Sequence, residues 1–450
     1  MKNISWRAGA ALCVLILLSS LAGCNGGLGR LSEIVRVRLA SPSARLEMEG
    51  DQLAAGGRQA EAILAYRRAV DQDRRNVSAM SKLSRLYAGQ GRRRLAERYL
   101  KAALAIRPGD ADFTAELTRL GQAGEAPALQ LVWSVQAGES VPTGIAYAGG
   151  ILYAALESGR VLALAAESGA ILWQVELPAH ATAAPATDGR RVYVGAQDGA
   201  LYALDASDGK LAWKFVTRAP IHAPPAVTDA LVYCPSGDGN LYALSAEAGD
   251  LQWKFSAGWP LYSQPSVAGG ALYFGSGEGY VYALDAASGA RRWEPGVLTQ
   301  GPVESQPTIV GERVLVGSGD SRLYCLATAS GGEYWRYSTP DAIYARPLVI
   351  SDTVYLASAG HTLTALDLLS GEARWEIAAQ SMLIYAPAAV DDVLYLVANG
   401  DPRLYAIDRL SGAELWRIDT GDWLGADPIA AGGLLHLAGK DGTLLTYRLP

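Results

Sequence analysis

The stretch Leu201-Tyr202-Ala203-Leu204-Asp205-Ala206-Ser207-Asp208-Gly209-Lys210-Leu211-Ala212-Trp213 decides the fold. Leu201 to Asp205 reads as one short strand and Leu211 to Phe215 as the next. Asp208-Gly209 between them tolerates the positive φ of a tight hairpin. Upstream, Pro185-Ala186-Thr187, a turn at Asp188-Gly189, the strand Arg191 to Gly195 and a turn at Gln197-Asp198-Gly199 complete four strands in one unit. The unit recurs. Trp133, Trp173, Trp213, Trp253, Trp293, Trp335, Trp375 and Trp416 follow one another at 40, 40, 40, 40, 42, 40 and 41 residues, a period expected of four-stranded propeller blades.

Seven of these Trp have a small residue ten positions before and a Gly four positions before, from Ala163, Gly169 and Trp173 through Cys325, Gly331 and Trp335 to Ala406, Gly412 and Trp416. The small residue leaves space for a flat ring that buries on the order of 200 Å². This pattern resembles the tryptophan-docking motif of PQQ-like (quinoprotein-type) repeats. The acidic residue of that motif is present as Asp205, Asp285, Asp367 and Asp408 and replaced by Ala165, Ser245 and Ala327. The last unit reaches Pro450 without a fourth strand, while Leu131 to Val135, around Trp133, is a strand to spare. Pairing the two closes the ring and removes open edges. The expectation is an all-β, eight-bladed β-propeller over 131–450.

A different pattern precedes it. Leu46, Gly50 and Leu53, then Ala62, Tyr66 and Ala69, stand at helical spacing around a break at Gly56-Gly57. Thirty-four residues on, Met80, Leu83, Ser84 and Tyr87 form one helix face, Gly91 a turn, and Ala96, Leu100 and Ala103 the next face, closed by Pro108. This resembles the tetratricopeptide repeat, with Asp112 to Leu120 as capping helix, and predicts a small all-α domain at 43–121 joined by a linker, 122–130. Arg92-Arg93-Arg94 reads as a solvated basic turn; a contact with anionic lipid or with the acidic second domain is the sharper alternative.

At the amino terminus, Lys2 and Arg7 precede an apolar run from Ala8 to Leu18, too short to span a bilayer and suited to a signal peptide. Leu21-Ala22-Gly23-Cys24 resembles the bacterial lipobox. The resemblance implies cleavage after residue 23, acylation of Cys24, a tether over 24–42, and export to the cell envelope. Asn25 resembles the outer-membrane sorting pattern, so the periplasmic face of the outer membrane is the expected location.

Charged residues make up only 19% of the 450, which excludes a wholly disordered chain. Residues 26–125 carry net +6 and residues 126–450 net −14 within an overall −6, a balance that argues against a nucleic-acid partner. Four Cys exclude a disulfide scaffold; Cys13 leaves with the signal peptide, and Cys234 and Cys325 read as small buried hydrophobes in non-neighbouring units. His180, His222, His361 and His436 lack metal-ligand spacing. The Gly-rich strings at 275–279 and 317–320 lead into strands, unlike phosphate loops, and Asp205 to Gly209 is turn chemistry rather than a calcium loop. Quinoprotein dehydrogenases use a vicinal disulfide, Ca²⁺ and a catalytic Asp, and no adjacent Cys pair exists here. The sequence therefore predicts no enzyme and no cofactor.

Signal peptide, lipobox and eight units together resemble the BamB-type outer-membrane assembly lipoproteins. That resemblance implies a lipid-anchored, non-catalytic protein-interaction scaffold whose partners are envelope proteins of the β-barrel assembly complex, with the membrane reached through the lipid. The helical repeats depart from the family, and no equivalents of its partner-binding loop residues are evident. The candidate partner surface is the set of varying residues before each inner-strand Pro: His222, Trp259, Tyr262, Gln264, Glu304, Gln306, Tyr344, Arg346, Trp423 and Asp427. Aromatics and Arg are typical binding anchors. A periplasmic module that binds or senses a small ligand or polysaccharide in the funnel stays open as the alternative, and a quinoprotein dehydrogenase is a distant third.

Overall fold

The computed structural model describes residues 40–89, 93–121, 129–141 and 144–449. Cys24 with its leader, most of the tether, Arg92 and the linker residues 122–128 lie outside these. Two compact units divide between Ala126 and Pro127.

The first unit contains five helices among the described residues: α1 (Pro42–Ala55), α2 (Gln59–Gln72), α3 (Val77–Gly89), α4 (Arg93–Ile106) and α5 (Ala111–Gly121). Ser41 caps α1, its Oγ accepting from Ala44 N at 3.2 Å; Gly57, at φ +77°, carries the break before α2. Gly50 is small because α2 lies on it: a Cβ there would stand 2.5 Å from the Tyr66 ring. Tyr66 Oη donates to Asp51 (2.8 Å), and Lys82 Nζ on α3 donates to Glu47 and Asp51 on α1. Between α3 and α4, Tyr87 stacks on Tyr99 at 5.8 Å over buried Leu83, Ala96 and Leu100. No helix among the described residues is long and apolar enough to cross a membrane.

The second unit is an eight-bladed propeller of eight four-stranded antiparallel sheets. Blades 1 to 7 occupy 145–176, 186–216, 226–256, 266–298, 308–338, 348–378 and 388–419. Blade 8 takes three strands from 429–448 and its outer strand, Gln130–Gln136, from the start of the unit. In that closure Trp133 stands opposite Thr446, and Thr446 opposite His436. The inner strand of blade 1 lies against those of blades 2 and 8, so the ring is continuous there.

The small residue of the repeat has a geometric reason. In blade 2, Tyr193, Ala203 and Trp213 lie in one row across three strands. Ala203 is low enough for the two rings to meet above it, 5.7 Å apart. Seven of the eight repeat indoles then reach into the next blade. Nε1 of Trp133, Trp173, Trp213, Trp253, Trp293, Trp335 and Trp375 donates to the carbonyls of Ala166, Ala206, Ala246, Ala286, Thr328, Leu368 and Arg409. The Gly belongs to that same contact: a Cβ on Gly249 would fall 2.6 Å from the Trp213 ring, and Gly249 holds φ +76°. Cys234 and Cys325 are buried and free.

One blade departs from the expected four regular strands. In blade 4 the outer strand is only Val297–Leu298, and Trp293 precedes it. Two extra residues separate Trp293 from the next repeat Trp, and Pro295 has no N–H to donate to a ladder. Arg291 covers the gap, its guanidinium 5.1 Å from the Phe255 ring and 5.6 Å from that of Tyr282. Trp293 still donates to Thr328 O at 3.0 Å.

Candidate functional site

The loop entering each inner strand lies beside a turn between the second and third strands: Gln197 N donates to His180 O, Gly277 N to Pro260 O and Lys440 N to Trp423 O. These loops and turns therefore share one face, around the mouth of the axial channel. The ten predicted surface residues all come from these loops, and the structure sorts them into two tiers.

The outer tier is aromatic. Trp259, Tyr262, Tyr344 and Trp423 are 52%, 41%, 43% and 57% exposed, against the near-complete burial of the Tyr in the blade cores. His222 of blade 3 lies 5.9 Å from the ring of Tyr262 in blade 4, which links two neighbouring loops. Glu304 is at the same level, and partial desolvation draws its carboxyl above the ordinary value.

The inner tier is the residue directly before the inner-strand proline. Gln264, Gln306 and Arg346, on blades 4, 5 and 6, line a cavity of about 640 Å³ along the axis. Blades 1, 2, 3 and 7 offer Gly144, Ala184, Pro224 and Ala386 in that place, and blade 8 offers Asp427. The inner strands of the polar arc are stitched together: Ser266 Oγ donates to Pro307 O (2.7 Å) and Thr308 Oγ1 to Pro347 O (2.6 Å). Gln306 Nε2 donates to Ser266 Oγ at 3.2 Å. Asp427 does not line this cavity. Its Oδ1 accepts from Ala386 N at 2.8 Å; burial raises its pKa, outweighing that bond and the attraction of Arg346. Burial, with Asp427 nearby, pushes the Tyr385 hydroxyl up to about 12.

Sequence reasoning missed Ser266, Thr308 and Tyr147 as channel residues, because a hydroxyl within a short inner strand is unremarkable until the ring closes around it. It also passed over the turn Asp that supports the mouth. Asp238 Oδ2 accepts from Tyr242 Oη (2.7 Å) and Arg218 N (3.0 Å), and Asp198 and Asp320 accept from Tyr202 and Tyr324 in the same way. The signal was present as Asp four residues before Tyr. The repeat Asp at 205, 285, 367 and 408 is a turn cap: Asp367 Oδ1, for instance, accepts from Leu369 N and Ser370 N at 2.9 Å. Among the described residues no three His, Cys, Asp or Glu side chains are grouped as metal ligands.

Residues 139–393 match the family described as "Beta-alanine-activating enzyme, beta-propeller", and residues 379–448 match the family described as "Outer membrane protein assembly factor BamB". A comparison with curated protein sequences returned no match. Among solved structures, BamB from Moraxella catarrhalis is similar at 19% identity and TM-score 0.62, over 72% of this chain and 98% of that one. The computationally designed Ika8 protein is similar at 16% identity and TM-score 0.65, over 71% and 100%. A quinohemoprotein alcohol dehydrogenase from Pseudomonas putida HK5 is similar at 16% identity and TM-score 0.61, over 71% and 76%. The fold is thus shared with an assembly factor, a designed protein and a redox enzyme.

Proposed function

The chain belongs to the β-propeller family described as that of the beta-alanine-activating enzyme, and from that premise we propose that its propeller is a non-catalytic scaffold that holds other proteins against the channel-mouth face. The carrying observation is the aromatic tier: Trp259, Tyr262, Tyr344 and Trp423 stand exposed on the loops of one face. The repeat does not require them, since other blades place Gly, Thr or Ile in equivalent loops. Large, stiff aromatics lose little conformational entropy on binding and are frequent interface anchors. The match of residues 379–448 to the BamB description supports partners in outer-membrane protein assembly. The lipobox at Cys24 supports a lipid anchor in the envelope, and two acyl chains or more would hold it firmly. On this reading the helices of 43–121 are tetratricopeptide-type repeats offering a second partner surface.

The test is capture of envelope proteins by the full-length lipoprotein, compared with a variant carrying Trp259→Ala, Tyr262→Ala, Tyr344→Ala and Trp423→Ala. Loss of the same partners from the variant, with an unchanged melting temperature, supports the scaffold. An unchanged partner set removes it.

A further inference from the structure

We propose that the axial cavity is a binding site for a small hydroxylated carboxylate of the sugar-acid class, anchored by Arg346. The inference does not depend on the aromatic tier or on any protein partner.

Arg346 is the one charged residue among those lining the cavity. The rest of the lining is apolar, amide or hydroxyl. Among the described residues no side chain forms an ion pair or hydrogen bond with its guanidinium; Asp427, which feels its charge, gives its Oδ1 to Ala386 N. A positive charge on a lining that is otherwise uncharged suits an anion. The planar guanidinium fork matches a carboxylate in particular, through two parallel hydrogen bonds.

The fold does not ask for this arginine. The same place before the inner strand takes Gly, Ala, Pro, Gln or Asp in other blades, so the position is structurally permissive and its chemistry is free to serve a ligand. The amides next to it point to hydroxyls. Gln306 spends its Nε2 on Ser266 Oγ, which leaves its Oε1 as an acceptor; the side-chain amide of Gln264 has both a donor and an acceptor to give, and neither is used within the described residues. Amide groups with both capacities are what a ligand bearing hydroxyls pairs with. Gly144, Ala184 and Pro224 keep the opposite side of the ring low, which leaves room for the ligand body. The volume, about 640 Å³, lies within the range of small-molecule sites.

Calorimetric titration of the purified protein with glucuronate, glucose and glucose 6-phosphate tests the assignment. Glucuronate is expected to bind, with glucose at least tenfold weaker. Arg346→Gln is expected to weaken glucuronate by tenfold or more and Arg346→Lys by less, because a point charge remains without the fork. Gln306→Ala should weaken both sugars together. An unchanged melting temperature for Arg346→Gln separates loss of the site from loss of the fold. Glucose binding as tightly as glucuronate, glucose 6-phosphate binding more tightly, no glucuronate binding at millimolar concentration, or full affinity in Arg346→Gln would each overturn the proposal.

Discussion

Tyr233 and Trp253, neighbours across Ala243 in blade 3, donate to one acceptor in blade 4: the Ala286 carbonyl receives Tyr233 Oη at 3.0 Å and Trp253 Nε1 at 3.2 Å. Tyr355 with Trp375 on Arg409 O repeats the arrangement, whereas in blade 2 Arg191 Nη1 joins Trp213 on Ala246 O at 2.9 Å and Tyr193 Oη lies closer to Asp188 Oδ2. A carbonyl has two lone pairs, and here both are met from the preceding blade. The blade interface is therefore directional as well as apolar.

This sharing predicts non-additive mutants. Trp253→Phe or Tyr233→Phe alone leaves the Ala286 carbonyl one donor and should cost about 1–2 kcal/mol. The double variant orphans it and should cost more than the sum, by roughly 1 kcal/mol. Urea unfolding of the four proteins measures the coupling; strict additivity would mean that the two donors do not share the acceptor.

Two glycines with left-handed backbones should respond differently to alanine. A Cβ on Gly189, at φ +82°, would meet nothing within 4 Å, so Gly189→Ala should cost only the backbone preference, about 1–2 kcal/mol. Gly249→Ala meets the Trp213 ring as well and should cost about 2 kcal/mol more. Equal losses in thermal unfolding would show that the indole can move aside.

His436 makes ring closure sensitive to acid. It takes the place that Tyr holds in most blades, fully buried between Trp133 and Tyr147, and burial lowers its pKa to about 4. Its unfolded value is near 6.5, so the unfolded chain binds the extra proton first. Stability is then full above about pH 6.5 and is lost as pH falls from there towards 4, by roughly 3 kcal/mol from this group. His436→Gln should flatten that part of the profile when unfolding is followed from about pH 7.5 to about pH 4.5. A variant with the wild-type slope would place the acid sensitivity elsewhere.

Blade 7 contains a buried ion pair, Arg409 with Asp392 at 2.7 Å, where blade 3 has Ala246 and Ala230. Asp392→Ala alone should cost about 3–5 kcal/mol, because it takes one carboxylate away from a buried guanidinium. Arg409→Ala combined with Asp392→Ala recreates the blade 3 pair and should recover most of that loss. Denaturant midpoints of the single and double variants decide it.

The candidate surface was partly legible in advance. Gln264, Gln306 and Arg346 stood out because they vary where the repeat does not, and they do line the axis. Their separation from Trp259 and Trp423 was not legible: both groups precede a proline by a few residues, and only the path of the loop places one inside the channel and the other on its rim. Asp427 looked equivalent to Arg346 by position, yet it accepts a backbone N–H of blade 7 and is not among the residues lining the cavity.

The amino-acid sequence by itself determined the number of blades, their order and the closure by the strand around Trp133. Those features rest on contacts between residues a fixed distance apart, Trp to the next Gly or small residue, and a periodic sequence displays such contacts openly. Tertiary structure alone decided the contents of the channel, the sharing of one carbonyl by Tyr233 and Trp253, and the burial of His436 and Arg409. Those depend on where residues of different blades meet once the ring has closed, and the distances between them are set by packing rather than by spacing along the chain.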